Sequence, residues 1–149
     1  MTHIATCILE LLKANSGVAA IVGDRIYPDA LPYRTNTDPT LPALVIVHVS
    51  GTPDDLLDDI SLDRVQVSCF SNPQEVNGVK APTEVEQLAD AVKAALHIPG
   101  LKKSPLSQTV SGVVHYIFSI RMTGERRFRE TQTDYYHKPL DFMVSYRKD

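Results

Sequence analysis

The chain has 149 residues, of which 43% are hydrophobic and 22% charged, and its formal net charge is -3 at pH 7. This length suits one domain, spanning residues 1–149, that buries roughly 70% of its unfolded surface, and the composition is that of an ordinary soluble globular protein. The negative charge argues against a dedicated nucleic-acid binder, because such binders gain affinity by neutralising phosphates.

The first part of the chain predicts a helix from about Thr2 to Asn15. Its apolar residues recur at helical spacing: Ile4, Ile8, Leu11 and Leu12. The sequence Asn15-Ser16-Gly17 predicts that this helix ends there, at a residue in the left-handed backbone conformation. A short helical turn is expected over residues 18–22. The proline-punctuated segment that follows, residues 28–42, is long for a connection and has no regular period, so it is expected to be either mobile or a binding arm.

Two strands and a second helix are predicted in the middle of the chain. Residues 43–49 form a near-continuous apolar run, typical of a strand that is covered on both faces. Its expected partner is the alternating segment 64–70, and an acidic loop separates the two. The second helix is predicted to begin with a capping box of Thr83 and Glu86 and to end at Pro99-Gly100. Its apolar face consists of Val85, Leu88, Ala89, Val92 and Leu96.

The last third of the chain predicts a long hairpin. Two segments between Val110 and Arg147 alternate with the period of a half-buried sheet. The apolar residues expected to share a face are Val114, Tyr116, Phe118, Ile120 and Met122 in the first segment, and Leu140, Phe142, Val144 and Tyr146 in the second. The element order predicts an α+β fold, in which a single antiparallel sheet of four or five strands carries two main helices on one face.

Two charged segments are the candidate functional sites. The hairpin tip combines basic and aromatic residues, a composition typical of protein–protein hot spots and also of single-stranded nucleic-acid binding; the negative net charge favours a protein partner. These interface candidates are Arg126, Arg127, Phe128, Arg129, Tyr135 and Tyr136. The acidic loop is interpreted as a solvated loop. Its aspartates are Asp54, Asp55, Asp58 and Asp59.

Catalytic and metal-binding interpretations lack support in the sequence. Cys7 and Cys69 lack the spacing of metal ligands and are expected to be buried free thiols, which fits a reducing cytoplasm. A nucleophilic thiol needs a depressed pKa, whereas Cys69 is expected among strand valines, where burial raises the pKa. His48 and His115 fall in predicted strands, and two histidines without a third ligand make a poor metal site. No catalytic residue, metal or cofactor is therefore predicted.

The order of elements resembles that of the tail-completion (tail terminator) proteins of long-tailed bacteriophages. The matching stretches lie along nearly the whole chain: Gly17 to Pro28, Leu41 to Ile46, Val65 to Phe70, Leu88 to Leu96 and Leu140 to Arg147. The resemblance implies a non-enzymatic virion protein that caps the head-proximal end of the tail tube as a ring, commonly hexameric. Such a ring stops tube polymerisation and mediates head–tail joining. In such a ring the aspartates of the acidic loop are candidates for a channel lining that repels DNA.

The resemblance also implies partners and a location. The expected partners are further copies of the chain, the tail tube protein and a head connector protein, while DNA passes through the lumen without specific binding and no membrane is involved. The protein is expected in the virion tail, and in the host cytoplasm during assembly. Three alternatives stay open at this point: another neck component, such as a head–tail connector or stopper; a small enzyme that uses Cys69 or His115; and a host-encoded interaction domain that shares the fold.

Overall fold

The computed structural model describes residues 3–32, 40–53, 60–72, 81–98, 106–129 and 135–148. The helices in these ranges are α1 (His3–Ala14), α2 (Ser16–Val22) and α3 (Ala81–Leu96). The strands are β1 (Ile26–Pro28), β2 (Ala43–Pro53), β3 (Ser61–Ser71), β4 (Leu106–Val110), β5 (Val113–Glu125), β6 (Phe128–Arg129) and β7 (Tyr136–Lys148).

The strands form one curled, mixed sheet in the order β1-β2-β3-β7-β5-β4, with the short strand β6 paired to β7. β1 runs parallel to β2, whereas the other pairs are antiparallel. The predicted sheet of four or five antiparallel strands is therefore wrong. The prediction missed β1 because its three residues are too few to show an alternation, and it missed β4 because that strand is largely polar.

The two predicted strand pairs are confirmed. β2 pairs with β3, and β5 pairs with β7 along most of their lengths. β2 is also covered on both faces, as predicted: Leu44 and Ile46 belong to the main core, while Ala43 and Val45 belong to a smaller cluster on the opposite face.

The predicted inward face is correct for β7 and wrong for β5. The register of β5 shifts between Ile117 and Ser119, and such a bulge moves the following side chains to the other face. The buried residues of β5 are consequently His115, Ile117 and Ile120, and Met122 is exposed. A strict period of two cannot anticipate a bulge, so the predicted set combined residues from both faces.

The three helices pack together on one face of the sheet and enclose the main core. The predicted apolar face of α3 is confirmed, because all five of its residues are fully buried. No single helix of the described residues is long and apolar enough to cross a membrane; α1 and α2 pass that test only as a pair, and they meet at a bend of 86°.

Two predictions about helix ends were wrong. Asn15 has extended backbone angles and caps the start of α2, since its side chain accepts a hydrogen bond from the Val18 N–H at 3.1 Å. α3 begins at Ala81, which places Thr83 inside the helix. In place of the expected capping box, the Glu84 carboxylate accepts hydrogen bonds from the backbone and side-chain nitrogens of Asn72 at 3.2 and 3.3 Å.

Candidate protein interface

The four residues after β5, here called the arginine turn (residues 126–129), continue the line of that strand along β7. The Arg126 N–H donates to the Pro139 carbonyl at 3.4 Å, and β6 then pairs with residues 136 and 137. The side chains of Arg126 and Arg127 are exposed. The backbone of the turn is thus held against β7 while at least two of its cations face outward.

The two candidate tyrosines have different environments. Tyr135 is 7% exposed and belongs to the small apolar cluster, together with Leu31, Leu41 and Val45. Tyr136 is half-buried and packs against the main core. Both rings therefore serve the packing of this chain, and the exposed part of the candidate interface is basic.

A network of ion pairs joins α3 to the start of the arginine turn and to β7. Glu86 contacts Lys138 at 2.6 Å and Arg127 at 3.4 Å, and Glu125 contacts Lys93 at 2.6 Å and Lys138 at 3.3 Å. Because the Lys138 side chain is only 9% exposed, its ammonium group depends on these two carboxylates for compensation.

The pKa directions agree with this geometry. Burial alone lowers the pKa of Lys138, but its hydrogen bonds to Glu86 and Glu125, together with their negative charges, outweigh burial and raise the pKa. The hydrogen bond from Lys93 lowers the pKa of Glu125, although desolvation opposes it. Both shifts show that the paired, charged forms are favoured in the fold.

The predicted channel-lining aspartates Asp54, Asp55, Asp58 and Asp59 lie outside the described residues. Asp63 follows the acidic loop in the sequence and has a different environment. It stands in β3 on the same face as Val65 and Val67 and is 6% exposed.

Asp63 accepts two hydrogen bonds in a small cluster, here called the Asp63 cluster (His48, Asp63 and Tyr146). Its Oδ2 is 2.8 Å from the His48 Nε2 and 3.0 Å from the Tyr146 hydroxyl. Burial, with the nearby Asp63 charge, raises the pKa of Tyr146 to about 12. Gly51 lies opposite Asp63, and a Cβ at that position would be 2.6 Å from the carboxylate.

The alternation of β3 and β7 contains a signal for the two buried charges. Asp63 and Lys138 both occupy inward positions of alternating strands, in step with Val65 and Leu140 respectively. A charged residue at such a position must be paired to be stable there. The alternation was sufficient to mark both residues as buried, but it could not name their partners.

The cysteines and His115 are placed in the core. Burial raises the pKa of Cys7 to about 11 and raises that of Cys69, which has no exposed surface, far above its ordinary value. A thiol in this state is not a nucleophile at neutral pH. His115 is 1% exposed, and its Nδ1–H donates to the Val113 carbonyl at 3.2 Å. Among the described residues, no three His, Cys, Asp or Glu side chains are grouped as metal ligands would be.

The sequence profile of the tail completion protein gp17 family matches residues 6–147, nearly the whole chain. The chain belongs to this family. The resemblance seen in the sequence is thereby confirmed, and with it a structural role in a phage tail. The family comprises structural tail proteins, which agrees with a non-enzymatic role.

The fold of this chain also occurs in a solved structure. This chain is similar to a chain in a structure described as the virion of a native gene transfer agent particle, with a TM-score of 0.63 and 16% sequence identity. The similarity covers 97% of this chain and 94% of the other. A search of curated proteins found no match to the sequence of this protein.

Proposed function

We propose that this protein caps the head-proximal end of the phage tail tube as a ring, stops tube polymerisation and joins the tail to the head. The match to the tail completion family over residues 6–147 carries the proposal. In this proposal the protein acts by shape alone: one ring face matches the last ring of the tube, and the other withholds the surface that a further tube subunit needs. The arginine turn is the proposed contact surface for a neighbouring protein.

The mass of the purified protein, measured alone and after mixing with purified tail tubes, tests this function. We expect a ring to appear on the tubes, and tails of particles that lack the protein to be abnormally long and detached from heads. Tails of normal length, attached to full capsids in the absence of the protein, would contradict the proposal. Cosedimentation with heads in preference to tubes would instead indicate a connector or stopper.

We further propose that the acidic loop lines the lumen of the ring, where it repels DNA phosphates and keeps the passing genome from adhering. Replacing Asp54, Asp55, Asp58 and Asp59 with Asn should slow DNA ejection while rings still form. The matched control replaces the exposed acids Glu10 and Asp90 with Gln and Asn. Ejection at the wild-type rate in the four-residue variant would refute the lining role.

A further inference from the structure

Two strand segments at opposite sides of the sheet have a neighbour on one side only, as far as the described residues extend. Residues 47–53 of β2, here called the β2 edge, continue past β1 and pair with β3 alone. Residues 121–129, here called the β5–β6 edge, continue past β4 and pair with β7 alone. An unpaired edge exposes backbone donors and acceptors that can pair with another strand.

An exposed apolar side chain lies on each edge. Val49 on the β2 edge is 47% exposed and Met122 on the β5–β6 edge is 42% exposed. Val49 lies where the register of β2 shifts between His48 and Ser50. The two residues belong to strands that are separated by β3 and β7, so they mark two different surfaces.

Near the two edges, the exposed charges that form no ion pair within the described ranges are opposite; the exposed Glu125 of the β5–β6 edge is already paired with Lys93 and Lys138. Arg121 and Arg126 on the β5–β6 edge are exposed and form no ion pair within the described ranges. Asp29 is exposed at the start of the β2 edge, where its N–H donates to the Ile46 carbonyl at 3.0 Å. Two β5–β6 edges facing each other would set arginines against arginines, which disfavours self-pairing. A β2 edge facing a β5–β6 edge brings opposite charges together.

We propose that the β2 edge of one copy pairs with the β5–β6 edge of the next copy, so that the sheet continues from subunit to subunit. The partner is therefore a second copy of this chain. Contact between two different surfaces is heterologous, and repeating it generates a closed ring when the rotation closes. This inference rests on the proposed ring and adds which surfaces close it.

Charge substitutions on the edges test the pairing. Val49→Lys and Met122→Lys should each reduce ring formation on tail tubes on the order of tenfold or more, because each puts a charge where the pairing would bury an apolar side chain. Lys at position 49 would also face the arginines of the β5–β6 edge. Both side chains are exposed, so both variants should keep the wild-type melting temperature. Ala94→Lys, at an exposed position of α3, is the matched control and should leave ring formation unchanged.

Cysteine cross-linking provides a second readout that does not depend on loss of assembly. Ser50→Cys and Thr123→Cys place one thiol on each exposed edge, while Cys7 and Cys69 are buried. With a short bis-maleimide reagent, the double variant on tubes should give a ladder of covalent multimers, and each single variant should give none. Dimers from a single variant would indicate self-pairing of one edge and would overturn the proposal.

The outcomes separate this inference from the function on which it rests. If wild-type protein forms no ring on tubes, the proposed function fails and the edge pairing fails with it. If wild-type rings form, and the Lys variants form rings equally well without a cross-linked ladder in the double variant, the function stands and the edge pairing is wrong.

Discussion

A buried carboxylate at the edge of the core shows how single residues shape this protein. Asp63 lies among apolar neighbours and is compensated by hydrogen bonds from His48 and Tyr146. Removing one member of such a group leaves the others buried without a partner, which costs more than the interaction itself contributes. A Cβ at position 51 would lie 2.6 Å from the Asp63 carboxylate, so a larger residue there would have to displace it.

Asp63→Ala should lower the free energy of unfolding by about 2–3 kcal/mol, because the His48 Nε2 and the Tyr146 hydroxyl both lose their acceptor. Tyr146→Phe should cost about 1 kcal/mol, since it removes one of the two hydrogen bonds. Urea denaturation measures both. The control is Asp141→Asn, which breaks an exposed pair with Arg64 and should cost less than about 1 kcal/mol. Equal losses for Asp63→Ala and Asp141→Asn would contradict the role of the cluster.

His115 makes the stability depend on pH. Burial lowers its pKa below the ordinary value of 6.5, against the hydrogen bond to the Val113 carbonyl, and the charges of His3 and Lys148 act in the same direction as burial. The unfolded chain therefore binds a proton at a higher pH than the folded chain does. The contribution of His115 to the free energy of unfolding is therefore complete above about pH 6.5, and it declines as the pH falls toward the pKa of His115 in the folded protein.

We expect the urea midpoint to decrease between pH 7.5 and pH 5, and His115→Gln to reduce this slope. Comparison of the wild type and the variant at both pH values isolates the contribution of the imidazole, because other groups titrate in both proteins alike. His97→Gln, at an exposed position, is the control and should keep the wild-type slope. An unchanged slope in His115→Gln would show that another group is responsible.

At the scale of elements, α3 is attached to the sheet in two ways. Its fully buried apolar face packs against β3, β5 and β7, and its charged side contacts β7 and the end of β5 through Glu86 and Lys93. The apolar face supplies most of the stability, because burial of each large side chain contributes about 1.5–3 kcal/mol. The ion pairs set the position of the arginine turn relative to the helix.

Lys138 has two carboxylate partners, so the network should respond to substitutions in a non-additive way. Glu86→Gln or Glu125→Gln alone leaves the ammonium group with one partner and should cost less than about 1 kcal/mol, since both acids are partly exposed. The double variant leaves Lys138 without a carboxylate and should cost about 2 kcal/mol more than the sum. A double-mutant cycle by chemical denaturation measures this difference. Additive losses would show that Lys138 does not depend on the pair.

At the scale of the whole molecule, the helices occupy one face of the sheet, and within the described ranges parts of β2 and β5 have a neighbouring strand on one side only. The arginine turn follows β5, and its Arg126 and Arg127 side chains are exposed beside a backbone that pairs with β7. This arrangement suits assembly, because Arg is enriched at the centre of protein interfaces. It also separates the proposed contact surface from the packing of the core.

A triple Arg126/Arg127/Arg129→Ala variant should fold but fail to join tails to heads or to close the ring. The loss of the pair between Arg127 and Glu86 is expected to cost only a fraction of a kcal/mol because both side chains are exposed. Tail length, head attachment and infectivity are the measurements. A control that removes three other exposed cations, Lys13, Arg64 and Lys148, should remain functional. Full infectivity of the triple variant would contradict the proposal.

The local elements of this protein follow from the sequence because their patterns are strong and self-contained. The apolar stripes of α1 and α3, the two long strand pairs and the inward face of β7 were predictable from periodicity alone. The family was also recognisable, since its characteristic segments lie in order along almost the whole chain. The basic character of the arginine turn required only the sequence.

The tertiary structure decided how these elements combine. The parallel pairing of β1, the bulge that reverses the face of β5 and the partners of Asp63 and Lys138 each depend on residues distant in the sequence. A periodic pattern reports which side chains avoid water, but it contains no information about which strand lies beside which. The strand segments that, among the described residues, have a neighbour on one side only, and on which the proposed pairing of copies rests, emerge only when the strand order is known.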